Sequence, residues 1–498
     1  MAKLPSSTKS ESIGMISDSN QRLTPYCIIS GILIALAPFQ FGYKMSELNN
    51  PKDAIMSCDL NSNTGKILGL PVCLPMSDSY FELVTSIFAI GGLIGSFIGG
   101  HFSGIYGRKK YLVLNSLIFF IGSALEFFSV NPQMMAFSRF CSGIAAGAAL
   151  VIAPVFLTEI APIKSRGLLN IFNQMLIVVG VFCGQIIGYF FGTGNQWRYV
   201  ILFGIVFSLI NGVSMLFVLE SPKFLASKGR FSEARYVLTR LRGTDDVETE
   251  LMSWDPVSYA SSTSNVAEGS SLLVKSELSG IDKPMKNKKT DLLTVLKMKK
   301  YHQPLVLVFL LQTAQQLSGI NAIVFYSNAI FSKMFDSKTS SILTLTVGAT
   351  NVVFTFISIF VIDRVKRRKF LFFSMITMFI SLVLLTISLQ LKIDYLSVVS
   401  IYLVQITFVF GLAPLPYLIA TEIFDQQGMS AGNSVSIASN WLWIFVIGVA
   451  FLPLEDAVGS YIFIIFIACL VLTFIFFYFF LPESKDKNYE SIEKEFKF

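Results

Sequence analysis

The chain has 498 residues, 53% of them hydrophobic and only 14% charged, with a net charge of +7 and a mean hydropathy of +0.63. It is too apolar for a soluble globular protein and belongs in lipid. The surplus of Lys and Arg then reads as a topology signal, which sets aside a nucleic-acid partner.

Residues 1–23 are a polar, Ser-rich tail without the apolar core of a cleavable signal peptide. Apolar stretches long enough to cross ~30 Å of hydrocarbon are expected at about 24–43, 82–103, 111–130, 134–155, 168–192 and 199–219. Six more follow at about 303–327, 340–362, 370–390, 396–420, 432–453 and 459–481. The expected organisation is a tail (1–23), a six-helix unit (24–220), a polar linker (221–302), a second six-helix unit (303–481) and a short tail (482–498). With both termini cytoplasmic, about 31 of the 39 Lys and Arg fall on the inner side. Thr158-Glu159-Ile160 recurs as Thr421-Glu422-Ile423, and Glu220-Ser221 as Glu483-Ser484. The fold class is therefore an all-α membrane protein, twelve transmembrane helices in two pseudo-symmetric six-helix bundles. Such duplication commonly serves alternating access to a site between the halves.

Cys27, Cys141, Cys183 and Cys469 fall inside spans and act as small apolar groups. Cys58 and Cys73 lie in the loop after the first span, which this topology places outside, and are candidates for a disulfide or for two thiols. Gly91, Gly92, Gly95, Gly99, Gly143 and Gly147 are spaced for close helix packing rather than phosphate binding. His101 and His302 have no His or Cys at ligand spacing, so no metal is expected. In the linker, Phe231 to Arg242 has the make-up of a short amphipathic helix, with Ser232 as N-cap and Gly243 as stop. Thr290 to Lys300 reads similarly, and the Ser- and Lys-rich stretch at about 253–289 is expected to be disordered.

The seventh span carries Gln312, Gln315, Gln316, Ser318, Gly319 and Asn321, then Phe325 and Tyr326. Four carboxamides facing hydrocarbon would cost several kcal/mol, so they face protein or water. Gln316 and Asn321 sit about 140° apart on a regular helix, so Ser318-Gly319 is expected to open the helix and turn both to one side. Gln174 and Gln185 share a face of the fifth span, and Asn351, Asn440, Trp441 and Pro414-Leu415-Pro416-Tyr417 add amides, an aromatic plate and a broken helix. Amides donate and accept at once, as sugar hydroxyls require, and aromatic faces suit ring C–H groups. The centres of these spans hold no carboxylate to carry a proton or sodium ion. Glu126 is expected to pair with Arg139.

These residues resemble the sugar porters of the major facilitator superfamily, and within them the facilitative glucose transporters. The resemblance rests on Gln40-Phe41-Gly42-Tyr43, Gly107-Arg108-Lys109, Arg139, Glu159, Arg166-Gly167, Glu220-Ser221-Pro222, Gln315 to Asn321, Asp363-Arg364, Asn440-Trp441 and Pro482-Glu483-Ser484. It implies that Gln174, Gln315, Gln316, Asn321, Asn351 and Asn440 hydrogen-bond the sugar, with Ile177, Phe408 and Trp441 in apolar contact. Phe325 and Tyr326 would belong to an extracellular gate. Glu159, Arg166, Asp363, Arg364, Arg367, Arg368, Glu422 and Glu483 would form cytoplasmic ion pairs that hold the outward-facing state. Gly104-Ile105 stand where the family has an acid or amide followed by Arg, so the first half's charge network is expected to be the thinner. Lys44 stands where proton-coupled relatives carry Asp. The implied function is facilitative transport of D-glucose or another hexose across the plasma membrane, by a protein that is not an enzyme and needs no cofactor. A proton-coupled symporter and a non-transporting sugar sensor are the alternatives.

Overall fold

The computed structural model describes residues 23–56, 69–162, 165–254, 295, 297–362, 364–425, 428–485, 487 and 489–496. Cys58, Asp363, residues 255–294 of the linker and most of the expected helix before Lys300 lie outside them.

The first half crosses as α1 (Pro25–Ser46), α3 (Asp78–Tyr106), α4 (Arg108–Phe127), α5 (Pro132–Ile160), α6 (Arg166–Phe191) and α7 (Trp197–Phe217), with α2 (Lys52–Met56) at the outer end of α1. The helix starts follow from local chemistry. Thr24, Ser77 and Asn131 each accept a hydrogen bond from the backbone N–H three residues on, and Pro25 and Pro132 fill first-turn positions that need no donor. Short helices α8 (Pro222–Ser227), α9 (Phe231–Arg242) and α10 (Glu248–Trp254) follow. Gly229, at φ 73°, turns the chain so that Arg230 N–H bonds Leu225 O. Helix α9 therefore runs over the expected Phe231–Arg242, but with Arg230 and not Ser232 at the N-cap, and ends as expected at left-handed Gly243. The linker packs under the first half: Thr24 Oγ1 donates to Leu241 O at 2.7 Å, and Arg242 Nη1 to Ile160 O at 2.8 Å.

The second half crosses as α11 (His302–Gln316) with α12 (Ile320–Ser332), α13 (Ser337–Ile362), α14 (Arg367–Gln390), α15 (Asp394–Thr407) with α16 (Leu415–Glu422), α17 (Met429–Val458) and α18 (Ile462–Phe480). Helix α19 (Tyr489–Glu493) closes the chain. Eleven spans among the described residues are long and apolar enough to cross a bilayer, and α11–α12, broken between them, makes the twelfth crossing. The start of α1 and the end of α18 therefore lie on one face, called the terminal face; the opposite one is the outer face.

Within the first half, glycines let backbones touch. A Cβ on Gly95 would meet Ile144 O at 2.0 Å and one on Gly147 would meet Gly92 O at 1.9 Å, so the glycine ladder is a packing device between α3 and α5. Between halves, three helix pairs make the main contacts: α3 with α17, α6 with α13, and α1 with α12. Asn49, just past α1, donates to Val324 O and Ser327 Oγ at 3.0 Å, Ser86 packs on Gly448, and Gln185 packs on Gly348. These contacts lie in the outer part of the bundle, with Trp441 against Gly92 and Ser96 at mid-depth. The halves are thus shut together toward the outer face.

Candidate functional site

Gly319 takes φ 83°, which ends α11 and restarts the chain as α12. The break brings Asn321 Nδ2 to within 2.7 Å of Gln316 Oε1, a pairing a regular helix would forbid. Gln315 turns the other way. Its Nε2 donates to Leu412 O at 3.0 Å and Ala413 O at 2.7 Å, where the chain passes through a π-turn at Phe408–Leu412. Pro416 has no N–H to return to Leu412 O, so Gln315 occupies an acceptor that the proline left open. Asn440 Nδ2 bridges Gln312 Oε1 and Gln315 Oε1, both at 3.0 Å, and Gln312 Nε2 reaches Ser436 Oγ at 2.8 Å. Gln312 is thus a member of the cluster that the sequence reading left off its site. Its i, i+3 spacing from Gln315 was the available signal.

Several amide atoms remain for a ligand. Gln316 Nε2, Asn321 Oδ1 and Asn440 Oδ1 make no hydrogen bond to a described residue, and neither does the half-buried Gln174 side chain on α6. Asn351 only accepts from Thr355 on its own helix. Ile177 and Phe408 are half-buried. Gln174, Ile177, Asn351 and Phe408 are not bonded to the amide cluster. Trp441 is placed differently from expectation: it is 1% exposed. Its ring sits against Phe41 and Phe88 of the first half at centroid distances of 5.7 and 6.0 Å, and its Nε1 donates to Ser96 Oγ at 2.9 Å. In this state Trp441 fills the seam and offers no free face to a sugar. Phe325, on the turn held by Asn49, is buried, and the Tyr326 side chain lies outside the described residues.

The terminal face carries two matching sets of charges. In the first half Arg108 Nη2 meets Glu159 Oε1 at 2.9 Å, Arg108 Nη1 donates to Ser103 O, and Glu220 Oε1 accepts the N–H groups of Arg108 and Lys109 at the start of α4. In the second, Arg367 Nε meets Glu422 Oε1 at 3.3 Å, Arg367 Nη1 donates to Ile362 O, and Glu483 accepts the N–H groups of Arg367 and Arg368 at the start of α14. A carboxylate over a helix N-terminus is favourable on both dipole and hydrogen-bond grounds. Gly107 makes the approach possible: at φ 102°, a Cβ there would lie 2.4 Å from Glu220 Oε2. The expectation of a thinner first-half network is therefore wrong, because Arg108 does the work assigned to the missing upstream residue. The sets differ at the acid: Ser484 donates to Glu422, whereas Glu159 Oε2 has no partner among the described residues. These pairs join helices within a half and do not bridge the halves. Arg166 and Arg364 are exposed and make no ion pair with a described residue.

Near the outer end of the first half lies a buried tetrad. Lys44 Nζ meets Glu47 and Glu126 at 2.8 Å, and Arg139 Nη1 meets Glu47 Oε1 and Lys44 O at 2.8 Å. The expected Glu126–Arg139 pair does not form, because Lys44 and Glu47 at the end of α1 intervene. Cys73 is disulfide-bonded. On the terminal face, burial works against ionisation of Asp425, yet bonds from Lys300, Gly428 N–H and Tyr301 hold its carboxyl below the usual range. Among the described residues no cluster of His, Cys, Asp and Glu fits a metal.

Two matched six-helix halves, shut at one face with amides along the seam, define a multi-pass membrane transporter of the major facilitator fold. The family model for sugar (and other) transporters matches residues 31–496, and the chain belongs to that family. It is 31% identical over 492 residues to the solute carrier family 2, facilitated glucose transporter member 1 of Gallus gallus, covering 96% of this chain and 95% of that one. Against member 3 of Oryctolagus cuniculus it is 31% identical over 487 residues, covering 96% and 93%. Of solved structures, the partially occluded inward open conformation of the xylose transporter XylE from E. coli superposes with a TM-score of 0.72 at 20% identity, over 93% of this chain and 100% of that one.

Proposed function

We propose that the protein is a facilitative hexose uniporter of the plasma membrane, carrying D-glucose down its gradient, with both termini cytoplasmic. The observation that carries this is the amide cluster: Gln316, Asn321 and Asn440 keep donor and acceptor atoms that no described residue uses, in a bundle whose halves are shut together toward the outer face. Neutral amides match a neutral polyhydroxylated ligand, and relatives named as facilitated glucose transporters support that ligand class. Gln174, Ile177, Asn351 and Phe408 would complete the site as the halves close around sugar, and Trp441 would uncover its ring when the outer seam parts. Phe325 and Tyr326, beside the Asn49 contact, would act as the outer gate. Rocking between outer-open and inner-open states needs only that sugar bind both, with the terminal-face pairs keeping each half rigid.

The rival reading is proton-coupled symport, since XylE is also described as a proton:xylose symporter. Lys44 argues against it here, because Glu126 lies against an ammonium group rather than free to exchange a proton. Labelled D-glucose uptake in proteoliposomes with and without a protonophore separates the two: the uniporter is indifferent, and uptake that collapses would establish coupling.

A further inference from the structure

The seam face of α3 carries one residue that neither the amide cluster nor the ion pairs use. Glu82, Ser86, Ala89, Gly92 and Ser96 recur at helical spacing. Ser86 packs on Gly448, and Gly92 and Ser96 pack on Trp441, so this stripe faces α17. Glu82 sits one turn beyond Ser86 toward the outer end and is 1% exposed. Among the described residues its buried Oε2 has no hydrogen-bond partner and no ion pair reaches the carboxyl group. The charged groups acting on it are Lys52, Asp78 on its own helix and Asp456 across the seam on α17. Lys52 is already 2.7 Å from Asp78. Among the described groups acting on Glu82, the single ammonium is thus already committed to Asp78. An unpaired buried carboxylate costs several kcal/mol, so the neutral acid is the form that fits the closed seam.

We propose that Glu82 is a proton site that ties closure of the outer face to the acidity of the outer medium. It is a carboxylic acid while α3 and α17 are together and a carboxylate once they part and water enters. The inference rests on the alternating-access reading above. Below Glu82 the seam is filled by Trp441 between Phe41 and Phe88, so the proton arrives and leaves on the outer side and is not carried across. The closed form binds more protons than the open form. Falling pH therefore favours closure and rising pH favours opening, by at most about tenfold per pH unit for one proton.

Spin labels at Ser79→Cys and Ala457→Cys, both exposed near the outer ends of α3 and α17, report the seam by pulsed EPR in liposomes. The unpaired Cys27, Cys141, Cys183 and Cys469 are replaced by Ser in that chain, and a monodisperse gel-filtration peak with an unchanged helical circular-dichroism spectrum verifies its fold. The long-distance population should grow as pH rises from about 5 to about 8. Glu82→Gln should abolish that dependence and hold the short distance throughout. Equal pH dependence in Glu82→Gln, or none in the parent, overturns the proposal. A pH-dependent distance lost in Glu82→Gln, in a protein that exchanges no hexose, upholds the proton site and removes only the transport reading.

Discussion

Lys44→Met should unbalance the buried tetrad. Lys44, Glu47, Glu126 and Arg139 are each at most 2% exposed and together neutral. Without the ammonium group, two carboxylates share one guanidinium, and Glu126, whose Oε1 already lacks a partner among the described residues, loses its bond at 2.8 Å. Breaking one member out of a buried charge pair costs about 3–5 kcal/mol. Lys44→Met/Glu126→Gln removes one charge of each sign and leaves Glu47 bonded to Arg139, so about 2 kcal/mol should return, a coupling typical of residues in direct contact. Denaturant unfolding of the detergent-purified variants, followed by tryptophan fluorescence, measures both changes. A double variant no more stable than Lys44→Met would refute the charge-balance argument.

Gln315→Leu removes the donor from Leu412 O and Ala413 O and the acceptor of Asn440. At about 1–3 kcal/mol per stranded polar group, hexose exchange per surface molecule should fall roughly ten- to hundredfold; an unchanged rate would take Gln315 out of the site. Arg108→Ala and Arg367→Ala should each slow exchange by about tenfold, a loss of ~1.4 kcal/mol per partly buried charged bond, and to similar extents because their partners correspond. Arg364→Ala, at an exposed residue without an ion pair to a described residue, should exchange like the parent. A harmless Arg108→Ala beside a damaging Arg367→Ala, in the same surface-normalised assay, would contradict the matched networks.

The break in the seventh crossing was legible because four carboxamides around a glycine are intolerable on a straight helix in lipid. Spans and fold class followed from hydropathy for the same reason: hydrocarbon tolerates few alternatives. The tetrad was not legible. The first span was expected to stop near residue 43, which left Lys44 and Glu47 as loop residues, whereas α1 runs to Ser46 and carries them to Glu126 and Arg139. The Arg108 pair with Glu159 is masked in the sequence by Gly104-Ile105, which break the family pattern just upstream. Comparing Gly107-Arg108-Lys109 with Lys366-Arg367-Arg368 would have shown the same start to α4 and α14. Trp441 was given to the sugar on its chemistry, but its burial depends on Phe41, Phe88 and Ser96 in the other half, which spacing along the chain does not reveal.

The central claim is that this chain moves a neutral hexose through a site between two rocking halves, without a coupled ion. Counterflow in proteoliposomes loaded with unlabelled D-glucose tests it most directly. The account predicts transient, saturable accumulation of labelled D-glucose that persists with a protonophore and is lost in Gln315→Leu. No accumulation above protein-free liposomes, or accumulation that needs a proton gradient, would contradict it.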